Sequence, residues 1–455
     1  MVQRSSWVVF RIACIAVFLV SIDVTVLYAA FPALRHAFAD VTPEDLSWVL
    51  NGYTIVYAAL LVPAGRFADL RGRKRTFLIG LSIFLIASLC CGLAVNIAML
   101  IAMRALQAVG AALLLPASLS IVLAAFPATQ RAVAVALWGA VSGLAGAVGP
   151  SLGSFLIDRL GWPWAFFLNL PFGGFALWRG AQLLDESRDL ERGARIDWLG
   201  VLLLIVGVGA IALGLVRSEA NGWTSPKVTI AIAGGLLAIG LFVVWAKHAR
   251  SPAIDLSLFR DRTYRYINVA GLCFSVGFAM MFFQNFLFTT GIWHYSLSQA
   301  GLAASPGPLL VIPTAILCGR FAARAGHKWL LIGGNLISML AAIWFSLVPG
   351  NDPAYVQTWL PGALLTGLGV GMVMPSISAA AVMHLPPARF GVGGAVNQAV
   401  RQTGAVLGVA LTVAIAGRAD FQLGQFHTLC HIQIVLAAAT ALLCVPVNTK
   451  PRPRS

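Results

Sequence analysis

One acidic side chain stands apart from the rest. Of the sixteen Asp and Glu residues in this 455-residue chain, Asp23 alone lies well inside an apolar run; the others sit in loops or at the ends of such runs. It falls about 14 residues past the start of its run, roughly 21 Å along a helix at 1.5 Å per residue. An ionisable group at that depth in hydrocarbon is costly and is a functional candidate by default. The chemistry a buried carboxylate offers is the uptake and release of a proton. The plainer alternative is a neutral Asp that hydrogen-bonds only its own helix. Arg104 and Gln107 form a second polar pair inside an apolar run, and their i, i+3 spacing puts them on one helix face. Arg104 stays charged, so it can tune the hold of Asp23 on its proton or counter a substrate charge. Alternatively, it snorkels to the membrane edge.

The elements that must carry these groups are membrane-spanning helices. The chain is 59% hydrophobic and only 10% charged, against about 25% charged residues in a soluble domain. Fourteen apolar spans are predicted, at roughly 9–31, 46–65, 76–96, 98–122, 133–157, 163–183, 197–216, 228–246, 266–289, 299–319, 329–348, 357–382, 394–416 and 431–448. Each is about long enough to cross a bilayer as a helix. The net charge of +15 does not point to nucleic acid, because the Lys and Arg lie in short loops between spans. Only Arg35, Arg159, Arg217, Lys227 and Arg418 fall in the odd-to-even connections, and Arg104 and Arg401 lie well within spans; the remainder fall on or close to the opposite side. That asymmetry predicts both termini in the cytoplasm. The first span could pass for a cleaved secretory signal, but Asp23 interrupts it and further spans follow, so it is expected to stay. The seven cysteines lie almost entirely within spans and show neither metal-ligand nor disulfide spacing.

The loops divide the chain. Spans one to six form one bundle over residues 1–183; residues 184–265 hold charged connectors and two extra spans; residues 266–455 hold six more spans. The loop Gly65-Arg66-Phe67-Ala68-Asp69-Leu70-Arg71-Gly72-Arg73-Lys74-Arg75 has a worn copy in the second bundle, Gly319-Arg320-Phe321-Ala322-Ala323-Arg324-Ala325-Gly326-His327-Lys328. A cationic loop repeated at equivalent places in two halves marks a duplicated transporter. The first copy resembles the G-x-x-x-D-R/L-x-G-R-K loop of the major facilitator superfamily. Ser21 to Val26 with Pro32 resembles that family's first-span element, Arg104 to Ala112 its R-x-x-Q-G-x-G-A-A, and Gly146 to Gly153 its antiporter signature. Trp162, Trp164, Phe167, Asn169 and Pro171 resemble the opening of the sixth span, and Asn397 to Gly408 the N-x-x-R-Q-x-G-x-x-x-G of the penultimate one. Ala108 and Ser154 stand where the family has Gly. The six-plus-two-plus-six arrangement resembles the fourteen-span drug:proton antiporter branch.

The resemblance implies roles. Asp23 and Arg104 would serve proton coupling. Gly65, Asp69, Arg71, Gly72, Arg73 and Lys74 would form a latch that joins the two bundles on the cytoplasmic side when the transporter faces outward; Ala323 in the second copy cannot contribute. From the residues alone, Asp69 could cap the positive end of a nearby helix or pair with Arg71 and Arg73. Gly139, Gly143, Gly146, Gly149, Pro150 and Gly153 in the fifth span, with Gly404 and Gly408 in the penultimate one, offer faces bare of side chains for close packing. The family implies that these two helices meet at the bundle interface. Phe274, Phe278, Phe282 and Phe286 recur at i+4, with Gln284 and Asn285 nearby. Together with Gln107 and Asn397 they are candidate cavity residues for flat, hydrophobic or cationic compounds; packing or lipid contact explains the stripe equally. Met280, Met281, Met372 and Met374 could add an adaptable lining.

The expected molecule is therefore an all-α major facilitator protein of fourteen transmembrane helices in the cell (inner) membrane. It would export small hydrophobic or cationic compounds in exchange for protons, as a monomer in the lipid bilayer. No cofactor, metal, catalytic residue or nucleic-acid partner is expected, and no P-loop is present to make it an ATPase. Two alternatives remain: a transporter of one endogenous metabolite, and a membrane enzyme acting on lipid-linked substrates. The scattered histidines offer the latter no cluster.

Overall fold

The computed structural model describes residues 2–127, 130–187, 197–249, 252–385, 389–416 and 421–449, and no strand occurs among them. The first half comprises α1 (Val2–Ala37), α2 (Pro43–Leu46), α3 (Trp48–Arg71), α4 (Arg73–Gly92), α5 (Ile97–Ala125), α6 (Arg131–Leu160), α7 (Trp164–Phe167) and α8 (Asn169–Leu183). α9 (Trp198–Asn221) and α10 (Pro226–His248) form a hairpin between the halves. The second half comprises α11 (Arg262–Gly291), α12 (Leu297–Ala304), α13 (Pro306–Ala325), α14 (Lys328–Leu347), α15 (Leu360–Val382), α16 (Phe390–Ala416) and α17 (Leu423–Cys444). Among the described residues, thirteen segments are long and apolar enough to cross a membrane. The expected sixth span is also present, but broken at Leu168 into α7 and α8. The arrangement is six plus two plus six.

Local chemistry sets the helix ends. Asn96 accepts a hydrogen bond from the Met99 amide, Asp261 one from Tyr264, and Ser296 forms a reciprocal capping box with Gln299. Such caps satisfy amides that a helix start leaves unpaired. Gly72 and Gly326, at matching places in the repeated loop, both take positive φ (111° and 79°). That conformation costs a Cβ-bearing residue, which explains why both copies of an otherwise worn loop hold Gly there.

Within each half, glycines let helices touch backbone to backbone. A Cβ at Gly110 of α5 would lie 2.6 Å from the Phe84 amide nitrogen and 2.7 Å from the Gly80 carbonyl of α4. α14 and α15 repeat the device in the second half: a Cβ at Gly334 would lie 3.0 Å from the Gly369 carbonyl. Association without a hydrophobic drive between helices relies on such close fits.

With few polar groups beyond their ends and no intramembrane charge, the two extra spans are expected at the periphery, facing lipid or a second subunit; the hairpin meets that expectation only in part. α10 does face outward, with Ile230, Leu236 and Leu237 exposed. α9 instead packs on α3 and α16, one helix from each half, and buries Val208, Ala212 and Val216 in the core that spans the halves. A lack of polar residues marks a helix as apolar on all sides, but lipid and a neighbouring helix satisfy that equally. Gly110→Leu is expected to cost about 1–3 kcal/mol through overpacking and to lower both the yield of monodisperse protein and its unfolding temperature. Gly139→Ala, which meets nothing within 4 Å, is expected to leave both unchanged.

Candidate functional site

Asp23 is 3% exposed and sits in a closed cluster drawn from five spans of the first half. Arg104 Nη1 donates to Asp23 Oδ2 at 2.6 Å and to Gln107 Oε1 at 2.6 Å, and Arg104 Nε donates to the Val49 carbonyl at 3.1 Å. Gln107 Nε2 and Asn169 Nδ2 donate to Asp23 Oδ1 at 2.9 and 3.1 Å. Ser88 Oγ accepts from Asn169 at 2.9 Å and donates to the Phe166 carbonyl at 3.0 Å. Asn169 stands at the first turn of α8, turned inward. Arg104 is 1% exposed and lies over the Tyr53 ring, 4.1 Å from its centroid. Snorkelling is thus excluded, as is a neutral Asp23 satisfied by its own helix. Both carboxylate oxygens are occupied, which a buried ion pair requires if attraction is to offset desolvation.

The cluster does not face the substrate space. Between the halves lies a cavity of about 2700 Å³. Its α1 wall is Val17, Val20, Ser21, Val24 and Thr25, and Asp23 lies on the other side of that helix. The cavity reaches the end of the molecule that carries the repeated loops, where Arg66, Asp69, Arg73 and Arg320 line it. The opposite end is closed. There Phe31 meets Phe283 edge-on at 4.6 Å, Ser298 Oγ donates to Asp158 Oδ2 at 2.6 Å, and Gly301 approaches so closely that a Cβ would lie 2.7 Å from the Pro150 carbonyl.

The expected cavity residues divide. Phe278, Phe282, Met281 and Met374 line the space. Phe286 is buried against Ala29 and Ala300 at the closed end, and with Asn285 it borders a separate pocket of about 20 Å³. Gln284 donates to Cys430 Sγ at 3.6 Å; two residues beyond Phe282 is about 200° around the helix. Gln107 follows Arg104 to the cluster, and Asn397 donates to Asn268 Oδ1 at 3.1 Å inside the second half. Met280 is core, and Met372 packs against α14.

Two further expectations are revised by geometry. The glycine faces of α6 and α16 do not pack on each other. Gly149 lies against Thr25 and Ile22, and Gly153 against Val26, all on α1. Gly404 and Gly408 lie against the Leu272 and Val276 carbonyls of α11. Gly139 and Gly146 border the cavity with nothing within 4 Å, and the surroundings of Gly143 lie outside the described residues. Periodicity shows that a face is bare, not which helix covers it. In the loop, Asp69 pairs with Arg73 at 3.1 Å rather than capping a helix, while Arg71 turns to the Phe67 ring. Glu186 occupies the start of α4 instead, accepting from the Lys74 and Arg75 amides at 3.1 Å each. In the second copy of the loop, burial pushes the His327 imidazole below its usual value and so keeps it neutral at neutral pH.

A family model described as Major Facilitator Superfamily matches residues 13–409 and 267–455. The chain belongs to this superfamily. It is 32% identical over 400 residues to the Mycobacterium tuberculosis multidrug resistance protein Stp, covering 87% of this chain and 73% of that one. It is 33% identical over 410 residues to the cephamycin export protein CmcT of Amycolatopsis lactamdurans, covering 89% and 84%. Among solved structures, a POT family transporter in complex with 5-aminolevulinic acid superposes with a TM-score of 0.71 over 97% of this chain and 96% of that one, at 14% identity.

For a superfamily member, several residues of the site were not singled out by the sequence reading. Ser88 gave no signal, being one of many serines. Arg401 did: with Arg104 it is a cation well inside a span, and the cost argument that selected Asp23 applies to it equally. With Gln398 and Gln402 it lines the cavity at i, i+3, i+4. Arg104→Lys is expected to lose the planar fork that serves Asp23, Gln107 and Val49 together. A thermal scan should show destabilisation of about 2 kcal/mol or more, short of the roughly 3–5 kcal/mol expected when Arg104→Ala leaves Asp23 unpaired.

Proposed function

We propose that this transporter exports small hydrophobic compounds in exchange for protons by alternating access. The observation that carries this reading is the pairing of two features on α1. One face lines a large, mostly apolar cavity, and the other holds a carboxylate whose every partner is in place. Relatives named for multidrug resistance and for antibiotic export support the same reading.

The chemistry divides between two states. With Asp23 ionised, Arg104 and the two amides hold α1 against α5 and α8. A proton on Asp23 would remove the ion pair and one acceptor site, which leaves Arg104 with an unmatched charge and loosens α1 from its neighbours. Tyr53 offers the route by which the cavity feels this: its ring lies under Arg104 and stacks on Tyr57 at 5.9 Å, and Tyr57 lines the cavity. The driving force is adequate. One charge moved through 100 mV supplies about 2.3 kcal/mol, which supports roughly a fifty-fold gradient at about 1.4 kcal/mol per tenfold.

In this reading the open end with the repeated loops faces the cytoplasm, as do both termini, and the protein resides in the inner membrane as a monomer. The latch formed around Asp69 then belongs to the opposite, outward-facing state. The Asp69–Arg73 pair within one loop fits a latch that is released.

Asp23→Asn in a well-expressed protein is expected to abolish proton-driven accumulation of hydrophobic dyes in inside-out vesicles. Normal pH-dependent transport by that variant would remove Asp23 from the mechanism. Asp69→Asn is expected to increase labelling of single cysteines along the cavity by a membrane-impermeant reagent from the cytoplasmic side, and to slow turnover several-fold. Unchanged labelling and rate would leave the loop a topology signal.

A further inference from the structure

We propose that the central cavity contains a subsite for an organic anion, built around Arg401 with Tyr57, Gln398 and Gln402, and that it takes amphipathic compounds with one carboxylate-like group. This rests on the reading of the protein as an exporter of hydrophobic compounds and assigns the charge of its substrate.

Arg401 lies about 11 residues into α16, roughly 17 Å from its start, and borders the cavity rather than a loop. Its guanidinium is sparsely used. Nη2 donates to Gln398 Oε1 on its own helix, and Nε is buried with no hydrogen-bond partner. None of the ion pairs among the described residues includes it. Arg104, by comparison, has a carboxylate, an amide and a carbonyl on its fork. An unmatched cation inside a membrane protein is costly and marks a substrate or ion site. Tyr57 faces it from the other half. Its hydroxyl is buried close to Gln398 and Arg401 and makes no hydrogen bond of good geometry. The site therefore holds a vacant guanidinium edge with a buried hydroxyl and two amides beside it, which is the donor set of a carboxylate subsite.

The remainder of the cavity fits the rest of such a molecule. Phe278, Phe282 and Met281 supply an apolar wall. The sign of the charge is decided by what is missing opposite. The carboxylates that line the cavity among the described residues are Asp69 and Asp255, both near its mouth, and each has a cation beside it: Arg73 at 3.1 Å for Asp69, and Arg66 for Asp255. Asp23 is behind α1 and already matched. A cationic compound would thus meet Arg401 with no free carboxylate in reach, whereas an anion would find an unused fork. Further cations at the mouth, including Arg320 and Arg389, would raise the local concentration of anions.

The test uses the full-length protein purified in detergent, near neutral pH, with three probes that share one ring system: 1-naphthylacetate, its uncharged amide, and 1-naphthylmethylammonium. Calorimetric titration reads affinity without any gradient. The anion is expected to bind about tenfold or more tighter than the amide, consistent with a charge-assisted hydrogen bond, and the cation weakest. Arg401→Gln should bring anion and amide within about twofold, Arg401→Lys should retain part of the preference, and Tyr57→Phe should weaken the anion several-fold while sparing the amide. Arg159→Gln, at the closed end, should change nothing. Equal binding of anion and amide by the wild-type protein, no measurable binding of the anion, or a preference that survives Arg401→Gln would overturn the proposal. If Arg401→Gln does not fold, the wild-type comparison and Tyr57→Phe decide. Loss of proton-driven export with the anion preference intact would strike the export reading alone; intact export with no preference would strike the anion subsite alone.

Discussion

A carboxylate inside an apolar helix bundle must be matched on all sides, and much of the first half is organised by that constraint. Asp23 on α1 and Arg104 on α5 form the pair. Ser88 on α4, Asn169 at the start of α8 and the Val49 carbonyl of α3 supply the remaining partners. Five helices are thereby keyed to one point. Asn169, in the first turn of α8, is turned toward the carboxylate. Burying such a pair does not by itself favour folding, because desolvation offsets most of the attraction. Its use lies in having two states: intact, or with the proton on and the partners released.

The second half has no counterpart of this charge. Within two turns of the starts of α11 and α16, Asn268 and Asn397 meet as neutral amides, and Asn268 also donates to the Tyr264 carbonyl. The two halves thus carry unequal interiors. One half holds a matched ion pair behind its cavity wall, and the other presents an unmatched Arg401 on the wall itself. A proton can change the first, whereas a substrate can complete the second. The two lie on opposite sides of the stacked Tyr53 and Tyr57 rings, so the element that joins them is short and aromatic rather than a chain of hydrogen bonds.

Close backbone contact explains the glycines better than any contact between the two signature helices. α6 approaches α1 through Gly149 and Gly153, and α16 approaches α11 through Gly404 and Gly408. Each is an intra-half joint adjacent to the cavity, so bare faces here let the wall helices lie near one another without side chains filling the space. Across the halves, Gly301 of α12 meets Pro150 and Ser154 of α6 at the closed end. Ser154 stands where the family resemblance leads one to expect Gly, and the missing side chain opposite it at Gly301 makes room for it.

The membrane-spanning class, the fourteen helices and the standing of Asp23, Arg104 and Gln107 as interior polar groups were all legible in the sequence. Each follows from a one-dimensional property: length of apolar runs, placement of charge, or spacing on a helix. Phe278 and Phe282 were legible as a stripe, but their membership of the cavity was not separable from packing. Which groups meet was decided only by the tertiary structure. Gln107 turned to Asp23 instead of the cavity, Gln284 to Cys430, Asn397 to Asn268, and α9 to both halves instead of lipid. Helical periodicity fixes the angle between side chains on one helix and leaves open the rotation of that helix against its neighbours. That rotation is set by the simultaneous demands of every buried polar group and every close glycine contact, which exist only once all the helices are in place.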